Sequence, residues 1–151
     1  MSMAEEQDGL GRWPISCELP VQWGDMDVMN HVNHTVFLKW METTRIHYFV
    51  ACDFLDLFEE EGVGPILAGI KVDYLKPVVF PDTVTIHTTI TSIGTSSFQM
   101  GYRLTSAALD GETVATAIAS AVVFDYNANR STPMPDSLRV KILELEASGS
   151  G

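Results

Sequence analysis

Residues 33–52 read NHTVFLKWMETTRIHYFVAC and contain neither glycine nor proline. The side chains that recur here at helical spacing are those of Phe37, Trp40, Met41, Thr44 and Tyr48, and further apolar side chains surround the same axis. A helix that is apolar on nearly every side belongs in a protein core. The stretch therefore predicts one long central helix, which Asn33 or Thr35 could cap at its start.

Alternating apolar side chains predict five β-strands, one before this helix and four after it. The strands are expected at residues 15–23, 66–74, 84–90, 98–104 and 114–124. Each has the period of two that a pleated strand requires. Turn residues separate the later strands, and consecutive strands with short connections form an antiparallel sheet. Pro20 cannot donate a hydrogen bond to a neighbour, so the first strand is expected at a sheet edge or with a bulge.

A row of small side chains marks one face of the last strand, at Ala115, Ala117, Ala119 and Ala121. Such a row lets a neighbour pack closely, either the helix or a second subunit. One apolar helix and one antiparallel sheet form a two-layer α+β domain. We expect a single domain over residues 12–146, in which the long helix is followed by a shorter segment at residues 53–62 that Gly62 ends. Residues 1–11 and 147–151 are expected to be disordered ends.

The overall charge excludes several classes of partner. Nine lysine and arginine residues stand against twenty acidic residues, which gives a net charge of −11. Such a chain repels nucleic acid and anionic membranes at long range. No apolar run approaches the ~20 residues of a membrane span, and the acidic start lacks the pattern of a secretory signal. Because Cys17 and Cys52 are few and far apart, we expect free thiols and a cytoplasmic protein.

The segment at residues 23–34, WGDMDVMNHVNH, joins the first strand to the central helix. Its polar side chains are those of Asp25, Asp27, Asn30, His31, Asn33 and His34. The free N–H groups and the dipole at a helix start stabilise developing negative charge. A carboxylate just upstream could then activate water or attack a carbonyl itself. This combination suits acyl transfer from a thioester and needs neither a metal nor another cofactor.

The order of these motifs resembles the hotdog-fold thioesterases, namely the long-chain acyl-CoA and the 4-hydroxybenzoyl-CoA thioesterases. Those enzymes carry an Asp, three further residues and His-Val-Asn before the central helix; here this is Asp27, residues 28–30, and His31-Val-Asn33. The other matching positions are Glu42 and Arg45, Gly64-Pro65, Tyr74, Lys76-Pro77, Asp82 and residues 94–97. Over residues 15–126, the resemblance implies a hotdog fold, in which a five-stranded antiparallel sheet wraps around one long central helix.

The resemblance also implies roles for individual residues. Asp27 would be the general base or the nucleophile, and a backbone N–H near His34 or Thr35 would bind the thioester oxygen. His31 and Asn33 complete the candidate catalytic set. The candidate substrate-binding residues are His34, Thr35, Gly64, Pro65, Ser96 and Ser97. The resemblance further implies a homodimer with the site between subunits, often paired again into a tetramer. His34 departs from the second asparagine that is common in the long-chain members.

Structural interpretations compete with these roles. Asp27 could simply shape its turn, and Asp25 is expected to bond loop amides. His31 could orient the loop or the Asp27 carboxylate, or it could make only a structural hydrogen bond. Asp25, Asp27, His31 and His34 have acceptable types for metal ligands, but their spacing matches no metal motif, so no metal is expected. Glu42 and Arg45 are expected to form an ion pair on the helix surface.

The predicted function is hydrolysis of acyl-CoA thioesters. A thioesterase acting on an acyl carrier protein, a non-catalytic acyl-CoA-binding protein and a hotdog hydratase remain the alternatives. An acidic protein needs a local basic patch to meet the phosphates of coenzyme A. The candidates for such a patch are Lys71, Lys76, Arg103 and Arg130.

Overall fold

The computed structural model describes residues 13–148. A strand β1 (Ile15–Pro20) is followed by a short 3-10 helix (Trp23–Asp25), helix α1 (His34–Ala51) and helix α2 (Phe54–Glu61). The following elements are strands β2 (Val63–Tyr74), β3 (Thr83–Ile93), β4 (Ser97–Ser106), β5 (Glu112–Asp125) and β6 (Arg130–Ser131), and helix α3 (Asp136–Ser148). Residues 1–11, predicted to be disordered, lie outside the described residues.

The sheet has the strand order β1-β3-β4-β5-β2, and every neighbouring pair is antiparallel. The five predicted strands are confirmed and β1 is at a sheet edge, but β1 ends at Pro20 rather than at residue 23, and Trp23 begins the 3-10 helix. The two-residue strand β6, which pairs with the end of β5, was not predicted. Two residues are too few to show the alternation by which a strand is recognised in a sequence.

Helix α1 begins and ends where the sequence predicts. Asn33 is its N-cap and Cys52 its C-cap, and its side toward the sheet is buried. The buried side chains of α1 include Phe37, Trp40, Met41, Tyr48 and Phe49, which share one core with the inner face of the sheet. Within residues 13–148, none of the helices has the length and apolarity that are needed to cross a membrane.

The alanine row of β5 belongs to the core of the single chain. All four alanines are at least 96% buried, whereas Ile118 on the opposite face is 47% exposed. The row therefore packs inside the protomer, in the core that it shares with the buried side chains of α1, and not against a second subunit.

Helix α3 was not predicted, and it extends two residues into the tail that was expected to be disordered. Only Leu138 and Ile142 are buried along it, so its sequence carries a weak amphipathic signal. A polar contact helps to hold it: the Glu146 carboxylate accepts hydrogen bonds from the Tyr48 hydroxyl, the Thr89 hydroxyl and the Ile90 N–H. Burial, and then the adjacent Glu146, raises the pKa of Tyr48 far above its ordinary value.

Candidate active site

The loop between β1 and α1 is closed by Asp25. Its Oδ2 accepts a hydrogen bond from the Gln22 N–H at 2.7 Å, which caps the 3-10 helix. Its backbone carbonyl accepts a hydrogen bond from the Asn33 N–H at 2.9 Å. The prediction that Asp25 bonds loop amides is therefore confirmed. The second contact brings the start of α1 back against the beginning of the loop.

Asp27 lies at the start of a tight turn within this loop. The Asn30 N–H donates to the Asp27 carbonyl at 2.9 Å, and Asn30 adopts a left-handed conformation that asparagine tolerates better than most residues. The Asp27 side chain is exposed. Its Oδ1 accepts from the Met29 N–H at 2.9 Å, and its Oδ2 accepts from Asn33 Nδ2 at 3.2 Å. Asp27 therefore both shapes its turn and directs one carboxylate oxygen toward the helix start.

Asn33 links this carboxylate to the helix. Its Oδ1 accepts from the Thr35 N–H at 2.9 Å and from the Thr35 hydroxyl at 2.7 Å, while its Nδ2 donates to Asp27. The predicted capping role of Asn33 is confirmed, and Thr35 is not the cap. One side chain thus fixes the helix start and the candidate catalytic carboxylate relative to each other.

The first-turn N–H groups of α1 differ in their partners. The Thr35 N–H is bonded to the Asn33 side chain, and the Val36 N–H donates to the Asn33 carbonyl at 3.0 Å. The His34 N–H has no acceptor among residues 13–148. Of the two positions that the sequence offered for an oxyanion donor, His34 is therefore the one with an available group.

A cavity of about 260 Å³ opens beside this helix start. Its lining residues are His31, Val32, His34, Phe37, Tyr74, Leu75, Lys76, Pro77 and Val78. The Val32 N–H donates to the Val78 carbonyl at 2.8 Å, which joins the loop to the segment after β2. The His31 imidazole has no hydrogen bond within the described part of the chain, and it is the His31 carbonyl that accepts from the Asp27 N–H at 3.1 Å. His31 thus contributes to the cavity wall and, through its backbone, to the turn.

Comparison with known proteins identifies the family. The sequence model of the thioesterase-like superfamily matches residues 21–142 of this chain. The chain belongs to the thioesterase-like superfamily. A crystal structure of a thioesterase from Thermus thermophilus, complexed with coenzyme A and Zn, is 31% identical. It covers 90% of this chain and 96% of its own, with a TM-score of 0.79.

Two further relatives agree with this membership. The PA2801 protein of Pseudomonas aeruginosa is 35% identical, over 85% of this chain and 97% of its own, with a TM-score of 0.74. The long-chain acyl-CoA thioesterase FadM of Escherichia coli is 22% identical over 87% of this chain and 98% of its own. The predictions of a hotdog fold and of a thioesterase are confirmed, whereas the roles of individual site residues remain predictions.

The other candidate binding residues of this thioesterase lie at the opposite end of the sheet. Pro65 pairs with Val123 and Ser97 pairs with Val122, whereas Tyr74, beside His34, pairs with Ala115. From Ala115 to Val122 along β5 is roughly 23 Å at about 3.3 Å per residue. Gly64 and Ser96 are at the same far end as their neighbours. A single chain therefore does not bring Gly64, Pro65, Ser96 and Ser97 to Asp27.

Gly64 and Pro65 have local packing roles as well. A Cβ at position 64 would lie 2.9 Å from a Phe58 ring carbon, so glycine permits the close packing of α2 on β2. The Pro65 carbonyl accepts a hydrogen bond from the Tyr126 hydroxyl at 2.7 Å. Both contacts stabilise the start of the edge strand.

The expected surface ion pair between Glu42 and Arg45 is wrong. Arg45 is only 9% exposed and its Nη1 donates to the Tyr102 hydroxyl at 3.0 Å, whereas Glu42 is exposed. The three-residue spacing permits contact on a helix surface. It does not reveal that one of the two side chains turns toward the sheet.

The four predicted basic residues do not all lie together: Lys76 and Arg103 contact the adjacent residues Glu112 and Thr113, whereas Arg130 pairs with Asp125 at the other end of β5. Lys76 pairs with Glu112, Lys71 lies 4.0 Å from Asp73, and Arg103 Nε donates to Thr113 at 2.6 Å. The fourth, Arg130, lies in β6. Arg139 on α3 was missed, because that helix was not predicted. Its Nη2 donates to the Gly94 carbonyl at 2.9 Å, in the hairpin that contains Ser96 and Ser97.

Among residues 13–148, no three His, Cys, Asp or Glu side chains are grouped so that they could hold a metal ion.

Proposed function

We propose that this thioesterase hydrolyses acyl-CoA thioesters to the free acid and coenzyme A. The observation that carries the proposal is that Asn33 bonds both the Asp27 carboxylate and the start of α1, where the His34 N–H has no acceptor among residues 13–148. Two relatives support the substrate class. One is named a long-chain acyl-CoA thioesterase, and the other is described as complexed with coenzyme A.

In the proposed mechanism the thioester oxygen accepts a hydrogen bond from the His34 N–H, and the helix dipole adds to the polarisation of the carbonyl. If Asp27 acts as a general base, it takes a proton from a water whose oxygen attacks the carbonyl carbon. The tetrahedral oxyanion then collapses, the C–S bond breaks, and the coenzyme A thiolate takes up the proton. One oxyanion donor of this kind contributes roughly two to three decades in rate.

A nucleophilic role for Asp27 gives the same products. Its carboxylate oxygen would form a bond to the carbonyl carbon and expel the coenzyme A thiolate, which takes a proton from solvent. Water would then hydrolyse the mixed anhydride, releasing the acid and regenerating the carboxylate. In both routes Asn33 Nδ2 holds the reacting carboxylate, while the Met29 N–H holds its other oxygen.

We propose that the working unit is a homodimer formed along β2, and that such dimers pair again. Strand β2 is an edge of the sheet, and Ile66 and Leu67 on it are about 40% exposed. An unpaired edge of this length is a template for pairing with another copy. Antiparallel pairing of two β2 strands would place the Pro65 and Ser97 end of one copy beside the Asp27 end of the other. That arrangement would complete the candidate site.

For the acyl group we propose a medium-to-long or aromatic chain. Phe37, one of the apolar side chains of α1, lines the cavity beside His34. Val32 and Val78 add apolar surface to the same cavity. Burial of each methylene there would contribute about 0.8 kcal/mol to binding. Cytoplasmic location stays a prediction.

Thiol release from a panel of saturated, aromatic and enoyl-CoA thioesters tests the proposal. We expect thiol release that becomes more efficient as the acyl chain lengthens from acetyl. Loss of enoyl absorbance without thiol release would favour the hydratase alternative. Binding of acyl-CoA without turnover would favour the non-catalytic alternative, and turnover only of carrier-protein thioesters would favour the carrier-protein alternative.

A further inference from the structure

Tyr74, the last residue of β2, contacts the start of helix α1. Its hydroxyl donates a hydrogen bond to the His34 carbonyl at 3.3 Å. Its ring meets the His34 ring edge-on, with 6.2 Å between centroids, and the Phe37 ring at 5.2 Å. The side chain is 45% exposed and lines the cavity beside His34. The edge strand thus contacts the one residue whose N–H is available in the first turn of the helix.

The two peptide groups that flank His34 are both held. The first peptide group joins Asn33 to His34 and carries the His34 N–H. Its carbonyl, that of Asn33, accepts a hydrogen bond from the Val36 N–H at 3.0 Å. The second peptide group joins His34 to Thr35. Its N–H, that of Thr35, donates to Asn33 Oδ1, and its carbonyl, that of His34, accepts from the Tyr74 hydroxyl. With both planes held, the direction of the His34 N–H is set before any substrate binds. Fixed donors of this kind need no reorganisation during the reaction.

Neither the strand nor the helix cap needs this tyrosine hydroxyl. After β2 ends, the Leu75 and Lys76 N–H groups both donate to the Val114 carbonyl, at 2.8 and 3.1 Å, which anchors the chain there. The helix start is already capped by Asn33. The contact therefore adds order at His34 rather than completing an element that would otherwise be open.

We propose that Tyr74 is a positioning residue for thioester hydrolysis: its hydroxyl and ring hold the His34 backbone so that the His34 N–H points at the thioester oxygen. The inference rests on the proposed function. A tyrosine phenol is protonated at neutral pH, and burial raises the pKa of Tyr74 further, so the hydroxyl remains a hydrogen-bond donor.

The experiment measures polarisation of the bound carbonyl directly. An acyl-CoA labelled with ¹³C at the thioester carbonyl is bound to the Asp27→Asn variant, which should retain binding without turnover. Isotope-edited infrared spectroscopy then gives the carbonyl stretching frequency. We expect the carbonyl frequency of the thioester bound to Asp27→Asn to be lower than that of the free thioester. Adding Tyr74→Phe should raise the bound frequency part of the way back to the free value. In the otherwise native protein, Tyr74→Phe should lower kcat roughly tenfold, because misdirection of a donor costs less than its loss.

Thr91→Val is the control, since it removes a hydroxyl that donates to a different backbone carbonyl at a similar distance, that of Gln99 at 3.4 Å, and neither residue is a candidate site residue. It should leave the carbonyl frequency unchanged. Tyr74→Leu removes hydroxyl and ring together and should shift the frequency at least as far as Tyr74→Phe. KM and the melting temperature should change little in Tyr74→Phe, which separates positioning from folding and binding.

Two results would overturn the inference and leave the proposed function intact: an unchanged frequency and kcat in Tyr74→Phe, or an equal frequency change in Thr91→Val. A different result would count against the proposed function itself. If the native protein releases no thiol from any acyl-CoA, or if Asp27→Asn binds the thioester with no lowering of its carbonyl frequency, the site assignment at the start of α1 fails.

Discussion

Substitutions at Asn33 should separate helix capping from the support of Asp27. The Asn33 side chain makes two bonds to Thr35 through Oδ1 and one to Asp27 through Nδ2. Alanine removes all three bonds. Serine is as good an N-cap as asparagine but has no amide to donate to the carboxylate. Asn33→Ser therefore keeps the helix cap and Asn33→Ala does not, whereas both variants lose the hydrogen bond to Asp27.

The magnitudes follow from these contacts. Loss of an N-cap costs about 1 kcal/mol in the free energy of unfolding, and for a domain of this size that lowers the melting temperature by about 2–4 °C. A hydrogen bond to a charged group contributes about 1.5–3 kcal/mol when it is shielded, and the exposed Asp27 should be below that range. At about 1.4 kcal/mol per decade, losing it should lower kcat roughly fivefold to tenfold in both variants.

Thermal melting and steady-state thiol release on native, Asn33→Ala and Asn33→Ser proteins test this reasoning. Asn33→Ala should lose both stability and turnover, and Asn33→Ser should lose turnover alone. Full turnover in Asn33→Ser would refute the link between Asn33 and Asp27. A native melting temperature in Asn33→Ala would refute the capping contribution.

Two further predictions concern the assembly and the last helix. Leu67→Lys on the exposed edge strand should convert the dimer to a monomer and lower turnover, because the Pro65 and Ser97 end of the second copy would be lost from the site. Sedimentation and thiol release, measured on one preparation, test this. A fully active monomer would contradict the prediction. Glu146→Ala removes the acceptor of three hydrogen bonds from β3 and α1, and should cost at least about 2 kcal/mol of unfolding free energy by denaturant titration. Below its melting temperature, the Glu146→Ala variant should release thiol at a near-native rate. An unchanged unfolding midpoint would contradict the prediction and show that α3 is held by its apolar side chains.

The elements with strong periodicity could be predicted from the sequence. The apolar surface around α1 and the alternation in β2 to β5 are local patterns, and each was found close to its observed limits. The Asx turn and cap around Asp27 and Asn33 were also accessible, because their hydrogen bonds join residues at most six apart. Helix α3 was missed because its two buried side chains give little amphipathic contrast, and the Glu146 contacts that hold it join residues more than 50 positions apart.

The division of the candidate site could not be predicted from the sequence in the same way. Pro65 and Ser97 were grouped with Asp27 by family resemblance, whereas the register of β2 and β4 on β5 places them at the opposite end of the sheet. Register is a property of pairing between distant segments, and no local pattern fixes it. The burial of Arg45 is a similar case, since its helical spacing from Glu42 is the same whether the side chain faces water or the sheet.

The most direct test of the central claim compares Asp27→Asn with Asp25→Asn. Both changes remove a carboxylate from the same loop and keep its size. Asp27→Asn should lower kcat for acyl-CoA hydrolysis by roughly two decades or more, with acyl-CoA affinity and melting temperature nearly unchanged. Asp25→Asn should lower the melting temperature and keep most of the turnover, because its carboxylate bonds only the loop. Near-native thiol release from Asp27→Asn beside an inactive Asp25→Asn would show that the wrong carboxylate has been assigned, and near-native release from both would contradict a catalytic role for this loop.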